Sequence, residues 1–186
     1  MSDVFIDPRD GEAYRIVEIS GQIWMAENLR YRGSVKKIDN WTIEEKEFYY
    51  PPNGQRKNIS EYGCLYTWAN ALKAVPEGWH LPSKEEFETF LINVGCHDKD
   101  SSRASINLRA TNFKNGSDTY GFGALPAGLF YAGYRHLFVG DCAFFWSSTE
   151  GNCDSDSAYN LRLSDNNVNV DNYSKILAFS VRCIKD

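Results

Sequence analysis

The sequence predicts a single α+β domain over residues 1–186, with helices and an antiparallel sheet in separate parts of the chain. Alternating residues open the chain as a hairpin, two helical patterns follow, and alternation returns in the last third. This order is typical of α+β proteins and differs from repeating β-α-β units. A chain of 186 residues buries enough apolar surface to fold without a metal or a disulfide.

The first predicted element is a β-hairpin over residues 12–25. Apolar and polar residues alternate on both sides of Ser20-Gly21, which is a two-residue turn signal. Residues 31–60 mix charges, aromatics and a Pro-Pro-Asn-Gly loop, so we expect little regular structure there.

Two helices are predicted next. The first covers residues 65–75 and ends at a Pro-Glu-Gly sequence. Its apolar residues share one face at helical spacing, namely Leu65, Trp68, Leu72 and Val75.

The second helix has the clearest local signal in the chain. Ser83 is a good N-cap, and Glu86 follows at the spacing of a capping box. Gly95 is suited to a left-handed C-cap. An apolar stripe lies between these ends, formed by Phe87, Phe90, Leu91 and Val94.

The chain becomes rich in loops after residue 96, and strands are predicted again from Phe144-Phe145-Trp146 onward. In residues 158–163, Tyr159, Leu161 and Leu163 face one way and Asn160 and Arg162 the other. After a turn at residues 164–167, Val168 and Val170 lie opposite Asn169 and Asp171. A last strand places Phe179, Val181 and Cys183 inside, with Ser180 and Arg182 outside. We therefore expect an antiparallel meander with one face packed on the core and one wet, that is, solvent-exposed, face.

Composition excludes several classes of protein. The net charge is −5 and no basic stripe is present, so the sequence does not predict nucleic-acid binding. No apolar run approaches the roughly 18 residues that span a bilayer. The first residues lack the layout of a signal peptide, which leaves either a cytoplasmic protein or one whose leader is not in this sequence.

The five cysteines are widely spaced and form no CxxC motif, which excludes zinc ribbons and thioredoxin-type redox motifs. Most are expected to be small buried apolar residues. Cys142 and Cys153 are the pair expected to bridge across a loop if the protein matures in an oxidising compartment.

Four blocks of sequence, taken in order, resemble the Fibrobacter succinogenes major paralogous domain. They are residues 11–14 with 23–29, residues 62–68 with 76–83, residues 120–128 with 145–150, and residues 179–186. The set runs in family order over nearly the whole chain, which makes it far more specific than any one block.

The resemblance implies a C-type-lectin-like fold of the branch that contains formylglycine-generating enzymes. That fold comprises an N-terminal hairpin, two helices, a loop-rich middle and a C-terminal antiparallel sheet. It also implies a bacterial protein that is secreted or held at the cell surface. Many members carry a cysteine where this chain has Val75, so Cys183 is expected to lose that partner and to be buried.

The C-terminal polar segment, Asn152 to Ser174, is the predicted ligand-binding region. Of its 23 residues, 6 are Asn, 4 Asp, 4 Ser and 2 Tyr, a composition also seen in antibody paratopes. The predicted contact residues are Asn152, Asp154, Asp156, Tyr159, Asn160, Arg162, Asp165, Asn167, Asn169, Asp171 and Tyr173.

The ligand expected for this segment is a protein or a glycan at the cell surface. The same composition is compatible with a variable protein of a diversity-generating retroelement, which the resemblance implies for similar domains. The alternative is that turns and exposed strand faces are polar in any protein.

No metal or cofactor is predicted. Aspartates of the segment supply hard oxygen ligands, but no calcium-binding loop motif accompanies them. Sugar could still stack on Tyr159 or Tyr173, whereas Trp146 lies in an apolar run and is expected to pack in the core.

The enzyme alternative is a formylglycine-generating copper oxidase, for which Cys142 and Cys153 are the nearest thiol pair. The residues around them do not match that family, and the three histidines are not at metal-ligand spacing. His80, inside the second block, is expected to be structural. A third hypothesis for the function is a structural tip or adhesin module without a small ligand.

Overall fold

The computed structural model describes residues 3–33, 49–96, 101–131, 135–152 and 155–186. One of the three histidines, His97, lies outside these ranges. So do Cys153, Asp154 and much of the predicted irregular stretch. Within them the chain forms three antiparallel sheets and four α-helices, as the α+β prediction requires. None of these helices is long and apolar enough to cross a membrane.

The strands in the described ranges are β1 (Val4–Ile6), β2 (Ala13–Ile19), β3 (Gln22–Met25), β4 (Tyr66–Thr67), β5 (Trp79–His80), β6 (Leu129–Tyr131), β7 (Arg135–Leu137), β8 (Ala143–Glu150), β9 (Ser157–Leu163), β10 (Val168–Ser174), β11 (Leu177–Phe179) and β12 (Ile184–Lys185). The helices are α1 (Ile59–Tyr62), α2 (Trp68–Ala74), α3 (Lys84–Asn93) and α4 (Ser102–Leu108), with 3-10 turns at Pro52–Gly54 and Arg56–Asn58. The sheets have the orders β1-β2-β3-β12-β5, β10-β9-β8 and β4-β11-β6-β7.

The predicted hairpin is confirmed as β2 and β3, which pair with Ile19 opposite Gln22. Ser20 and Gly21 both have positive φ, at 54° and 83°. Two such residues make the tight turn whose twist matches that of the strands.

The capping box of α3 is also confirmed. Ser83 Oγ accepts a hydrogen bond from Glu86 N at 3.1 Å, and Glu86 Oε2 accepts one from Ser83 N at 2.7 Å. The predicted stripe is buried against the sheet, and Gly95 has a φ of 85°.

The boundaries and the buried face predicted for the first helix were wrong. Leu65 is buried before the helix begins at Trp68, and Leu72 is 42% exposed. The face that packs inward carries Ala71 and Ala74, whose small side chains let the helix lie close to its neighbours.

Helix α4 was not predicted. It spans only seven residues, its N-cap Ser101 makes no side-chain capping hydrogen bond, and no glycine follows its last residue, so its boundary signals are weak. Its buried face includes Ser105 between Ala104 and Leu108, which weakens the apolar periodicity.

The sheet of β8, β9 and β10 separates two apolar clusters. On one face Phe145, Leu161 and Val168 pack with residues of α3 and α4. On the other face Phe144 and Trp146 pack with Phe179 of β11. The prediction of one wet face was therefore wrong, because both faces of this sheet are covered over much of their area.

The prediction that Ser180 and Arg182 point outward was wrong. Residues 180–183 lie between β11 and β12 and do not belong to either strand. Ser180 and Arg182 are 1% and 0% exposed. Cys183 is buried as expected and is a free thiol.

Arg182 forms hydrogen bonds with residues from distant parts of the chain. Its Nε donates to Asn28 Oδ1 at 2.7 Å, and its terminal nitrogens donate to the carbonyls of Met25, Phe122 and Gly123. Burial lowers the pKa of Arg182, with Asp118 opposing the shift, to about 9. The side chain is therefore charged at neutral pH, with its charge held by carbonyl dipoles.

Replacement Arg182→Met is expected to lower the free energy of unfolding by about 3 kcal/mol or more, since it leaves buried acceptors without a donor. The matched control Arg103→Met changes an exposed arginine of α4 and should stay within about 0.5 kcal/mol. Urea unfolding followed by circular dichroism measures both. Equal stability of the two variants would contradict the role given to Arg182.

Candidate functional site

The C-terminal polar segment folds as the hairpin of β9 and β10. Arg162 lies opposite Asn169, and Asn160 lies opposite Asp171. On the neighbouring strand, Phe144 and Trp146 lie opposite Arg162 and Asn160. The alternation predicted from the sequence is thus confirmed, and these residues share one face of the sheet.

The expectation that Asn160 stands free on this face was wrong. Its exposure is 0%, and its Nδ2 donates to the Asp171 carbonyl at 3.0 Å. The cause is its position beside Trp146, whose ring stacks on Phe179 at 4.1 Å. The part of the face next to β8 is therefore core.

The hairpin tip is held by the chain itself. Asp165 accepts from Arg109 Nη1 at 3.3 Å and from Lys114 Nζ at 2.7 Å. Arg109 is only 2% exposed, so Asp165 is the counter-charge of a buried guanidinium. Asp165, predicted as a ligand contact, therefore has a structural role.

Asn167 is held in the same way. Its Oδ1 accepts a hydrogen bond from Ser101 Oγ, which itself accepts from Val168 N at 3.1 Å. Ser105 Oγ donates to the Ser164 carbonyl at 2.6 Å. The missed helix α4 thus fixes the turn between the two strands.

The other predicted contact residues are spread over the hairpin. Asn152 and Asp156 are exposed at the end opposite the tip, and seven-residue strands separate them from it. Tyr159 is on the opposite face, with Lys84 Nζ 4.9 Å from its ring. Tyr173 is half-buried, edge-on to Phe144 at 6.0 Å. The structure therefore does not gather the predicted residues into one site.

Three side chains of the face carry buried polar atoms without a partner in the described part of the chain. These atoms are Arg162 Nε, Asn160 Oδ1 and Asn169 Oδ1. Arg162 and Asn169 are each partly exposed as whole residues. A buried polar group without a hydrogen bond costs about 1–3 kcal/mol, so the clustering of three needs a reason.

Phe138 borders the same face and was missed by the sequence analysis. It has a φ of 58° and is 50% exposed, and its ring lies 6.1 Å from that of Phe144. A bulky residue at positive φ is strained. The carbonyl of Phe138 accepts from the amides of Asp141 and Cys142, which holds this conformation. The sequence does not predict this conformation, because a turn position with positive φ usually carries glycine.

The solvent-reaching residues of this side of the sheet form one surface with Asn160 beneath it. We call it the aromatic–amide face and define it as Phe138, Asn160, Arg162, Asn169, Asp171 and Tyr173. Arg162 lies over the Phe144 ring, with Cζ 5.9 Å from its centroid. Arg162 and Asp171 are the charged members, so the formal charges of the face cancel.

Metal-binding chemistry is not evident in the described residues, which contain no group of three or more His, Cys, Asp or Glu side chains placed to hold an ion. Cys142 is a free, buried thiol. Burial raises the pKa of this thiol, although the positive charge of Arg162 opposes the shift. A thiol with a raised pKa is a weaker metal ligand.

His80 lies on a separate part of the surface. Its Nδ1 is 2.7 Å from Asp186 Oδ1, and its Nε2 is 2.9 Å from Glu86 Oε1. Burial opposes the charge, but the hydrogen bonds to Asp186 and Glu86 outweigh it and raise the pKa of the imidazole. An open groove of about 740 Å³ runs beside it, between α2 and the start of α3.

The chain is thus an α+β domain with a polar face on which three buried hydrogen-bonding atoms have no partner in the described residues. A family model, the Fibrobacter succinogenes major domain, matches residues 17–185. The chain belongs to this family, as the four sequence blocks predicted. No curated protein and no solved structure matches the chain.

The bonds from Arg109 and Lys114 to Asp165 at the hairpin tip lead to a prediction about stability. Asp165→Ala should lower the free energy of unfolding by about 1–2 kcal/mol, because Arg109 loses its counter-charge. The matched control Asp171→Ala, in the same hairpin, should stay within about 0.5 kcal/mol. Chemical denaturation checks both, and equal losses would show that the tip is not clamped.

His80 gives a pH prediction. Because its pKa is raised in the folded state, the stabilisation is complete below the ordinary value of 6.5 and is lost as the pH rises through the folded pKa. His80→Gln should abolish that loss, which is on the order of 0.5 kcal/mol for a partly exposed group.

The comparison for His80 is His136, whose pKa is lowered by burial. His136 contributes stability above its ordinary pKa, so His136→Gln should change the slope of unfolding free energy against pH in the opposite direction. Identical slopes in both variants and the unchanged protein would refute the assignment.

Proposed function

We propose that this chain is a non-catalytic recognition domain of a bacterial secreted or cell-surface protein, which binds a protein or glycan through the aromatic–amide face. Membership of the family is consistent with this role. We also propose that its fold is C-type-lectin-like, in the branch of the formylglycine-generating enzymes. Antiparallel sheets with few short helices are consistent with that fold.

The observation that carries the proposal is the cluster of unpartnered polar atoms on a clamped hairpin. Ser101, Arg109 and Lys114 hold the hairpin tip, so ordering this surface costs little when a ligand binds. A ligand that supplies the missing hydrogen bonds would recover the cost of leaving these groups unpaired.

Side chains that already bond to other residues of the chain reduce the set of candidate ligand contacts. The side-chain oxygens of Asp165 and Asn167 accept hydrogen bonds from the chain itself, so they have little capacity to contact a ligand. Asn160 keeps an unpaired Oδ1, but the residue is 0% exposed and its Nδ2 is bonded to the Asp171 carbonyl, so a substitution there would disturb the core. If the domain is a variable protein of a diversity-generating retroelement, variation should fall on Arg162, Asn169 and the exposed ends of the hairpin, and should spare those three.

The test is a binding array of purified bacterial and host surface proteins and glycans. Three proteins are compared: the unchanged protein, the double variant Arg162→Ala with Asn169→Ala, and the control Arg103→Ala with Asn93→Ala. The control removes the same residue types from exposed positions of α4 and α3.

The proposal expects binding to at least one component, reduced about tenfold or more in the first variant and unchanged in the control. Melting temperatures of all three should agree within a few degrees, as expected for changes of about 0.5 kcal/mol. Equal binding by both variants, or no binding by the unchanged protein, would refute the proposal.

A further inference from the structure

We propose that the chain associates with a second copy of itself by pairing the outer edge of β10 with the same edge of the copy, antiparallel and centred on Asn172. The two β8-β9-β10 sheets then form one continuous sheet. The inference does not depend on the ligand proposed above, because it concerns the edge of the sheet and not the aromatic–amide face.

β10 is the longest strand that lies at an uncovered end of a sheet in the described part of the chain. The other end strands β1, β4, β5 and β7 have two or three residues each. β8, at the far end of the same sheet, is covered because Ser180 bonds to the backbone of Phe144 and Trp146. Proteins usually keep sheet edges short or covered, which prevents unwanted pairing. An uncovered edge strand of seven residues is therefore a candidate for pairing with another chain.

The hydrogen bonds at the two ends of β10 show which of its backbone groups point outward. Ser164 N donates to the Asn167 carbonyl, and Lys175 N donates to the Asp156 carbonyl, each at 2.8 Å. Pairing with β9 is regular between these two points. In an antiparallel pair every second residue bonds to the neighbouring strand, so the odd-numbered residues of β10 bond to β9 and the even-numbered residues point away from it.

The part of the edge that is free to pair contains three outward residues. The outward amide of Val168 donates to Ser101 Oγ at 3.1 Å, so the start of helix α4 closes that end. The outward amide and carbonyl groups of Val170, Asn172 and Ser174 have no hydrogen-bond partner among the described residues. An added strand can therefore pair with these three residues and must end before Val168.

The edge lacks the features that usually block such pairing. β10 contains no proline and no lysine, and its register with β9 has no bulge. Lys175 follows directly after β10 but is held by its own chain, since its Nζ donates to the Ser155 carbonyl at 2.6 Å and lies 3.3 Å from Glu150 Oε1. Asp171 is the only charged residue of β10, so charge repulsion depends on what lies opposite this residue.

One register of self-pairing uses all of the free groups. With Asn172 opposite Asn172 of the second copy, Val170 lies opposite Ser174, and every outward amide and carbonyl of the three residues finds a partner. Asp171 then lies opposite the neutral Tyr173. A register centred on Asp171 would bring two carboxylates together, which is destabilising. A register centred on Tyr173 would place Val170 beyond the end of the partner strand.

This complementarity of hydrogen bonds and charge favours a second copy as the partner. A two-fold axis through Asn172 makes each contact occur twice, and symmetric dimers of this kind are the commonest oligomers of soluble proteins. The axis is perpendicular to the sheet, so both aromatic–amide faces lie on the same side of the joined sheet. Because a short strand pair is only marginally stable, the dimer should dissociate on dilution.

Sedimentation velocity over a range of protein concentrations tests the association. The unchanged protein should shift reversibly toward twice the mass of one chain as its concentration rises. Asn172→Pro removes a free outward amide, and proline is tolerated on edge strands, so this variant should stay folded while its association weakens about tenfold or more. Asn172→Ala is the matched control, since it keeps the amide and should associate like the unchanged protein.

Cysteine cross-linking tests the register. A mixture of the Asp171→Cys and Tyr173→Cys variants should form a disulfide-linked dimer under mild oxidation. Directly opposite residues at such a position have Cα atoms about 4.5 Å apart, which is within the range of a disulfide. Each variant alone should cross-link no more than the unchanged protein, whose own cysteines set the background.

A protein that stays monomeric up to about 1 mM would overturn the inference, and so would association that Asn172→Pro leaves unchanged. Association without the mixed cross-link would place the contact elsewhere, and efficient cross-linking of either cysteine variant alone would show another register. If circular dichroism shows that Asn172→Pro is unfolded, the cysteine mixture decides alone. None of these outcomes bears on the binding array, so the proposed function is tested separately.

Discussion

The arrangement of this domain depends on covering the three-stranded sheet β10-β9-β8 on both faces. One face packs on the helices through Phe145 and Leu161, and the other packs on β11 through Trp146 and Phe179. Because β8 lies inside both clusters, the hairpin of β9 and β10 is anchored along its whole inner edge. The polar residues of that hairpin therefore sit at the border between core and solvent, where a side chain loses water without always gaining a partner.

Elements with a local chemical cause were predictable from the sequence. The turn at Ser20-Gly21 needs only positive φ, and the start of α3 needs only Ser83 and Glu86, so both were found. The alternation along β9 and β10 was also correct. What covers each face is a non-local property, and this is why Asn160 and Arg182 were placed in solvent although they are 0% exposed. Alternation assigns side chains to a face but does not reveal what packs on it.

The candidate site was partly predictable for the same reason. Composition located the hairpin, but it could not distinguish polar residues that hold the fold from those that lack a partner. Asp165 and Asn167 are engaged by Arg109, Lys114 and Ser101, which are 50 or more residues away in sequence. Phe138 carries no sequence signal, because its exposure follows from a backbone conformation that the sequence does not favour. The functional surface is thus smaller than the polar segment and includes a residue outside it.

The measurement that tests the central claim most directly is the NMR signal of Arg162 Nε–H in the unliganded protein. If this donor is shielded from water and has no partner, its proton should exchange slowly with solvent and show no scalar coupling across a hydrogen bond. Rapid exchange would mean that water already satisfies it. A coupling to the carbon of a carbonyl or carboxyl group of the chain would mean that the face is complete without a ligand, and either result would contradict the account.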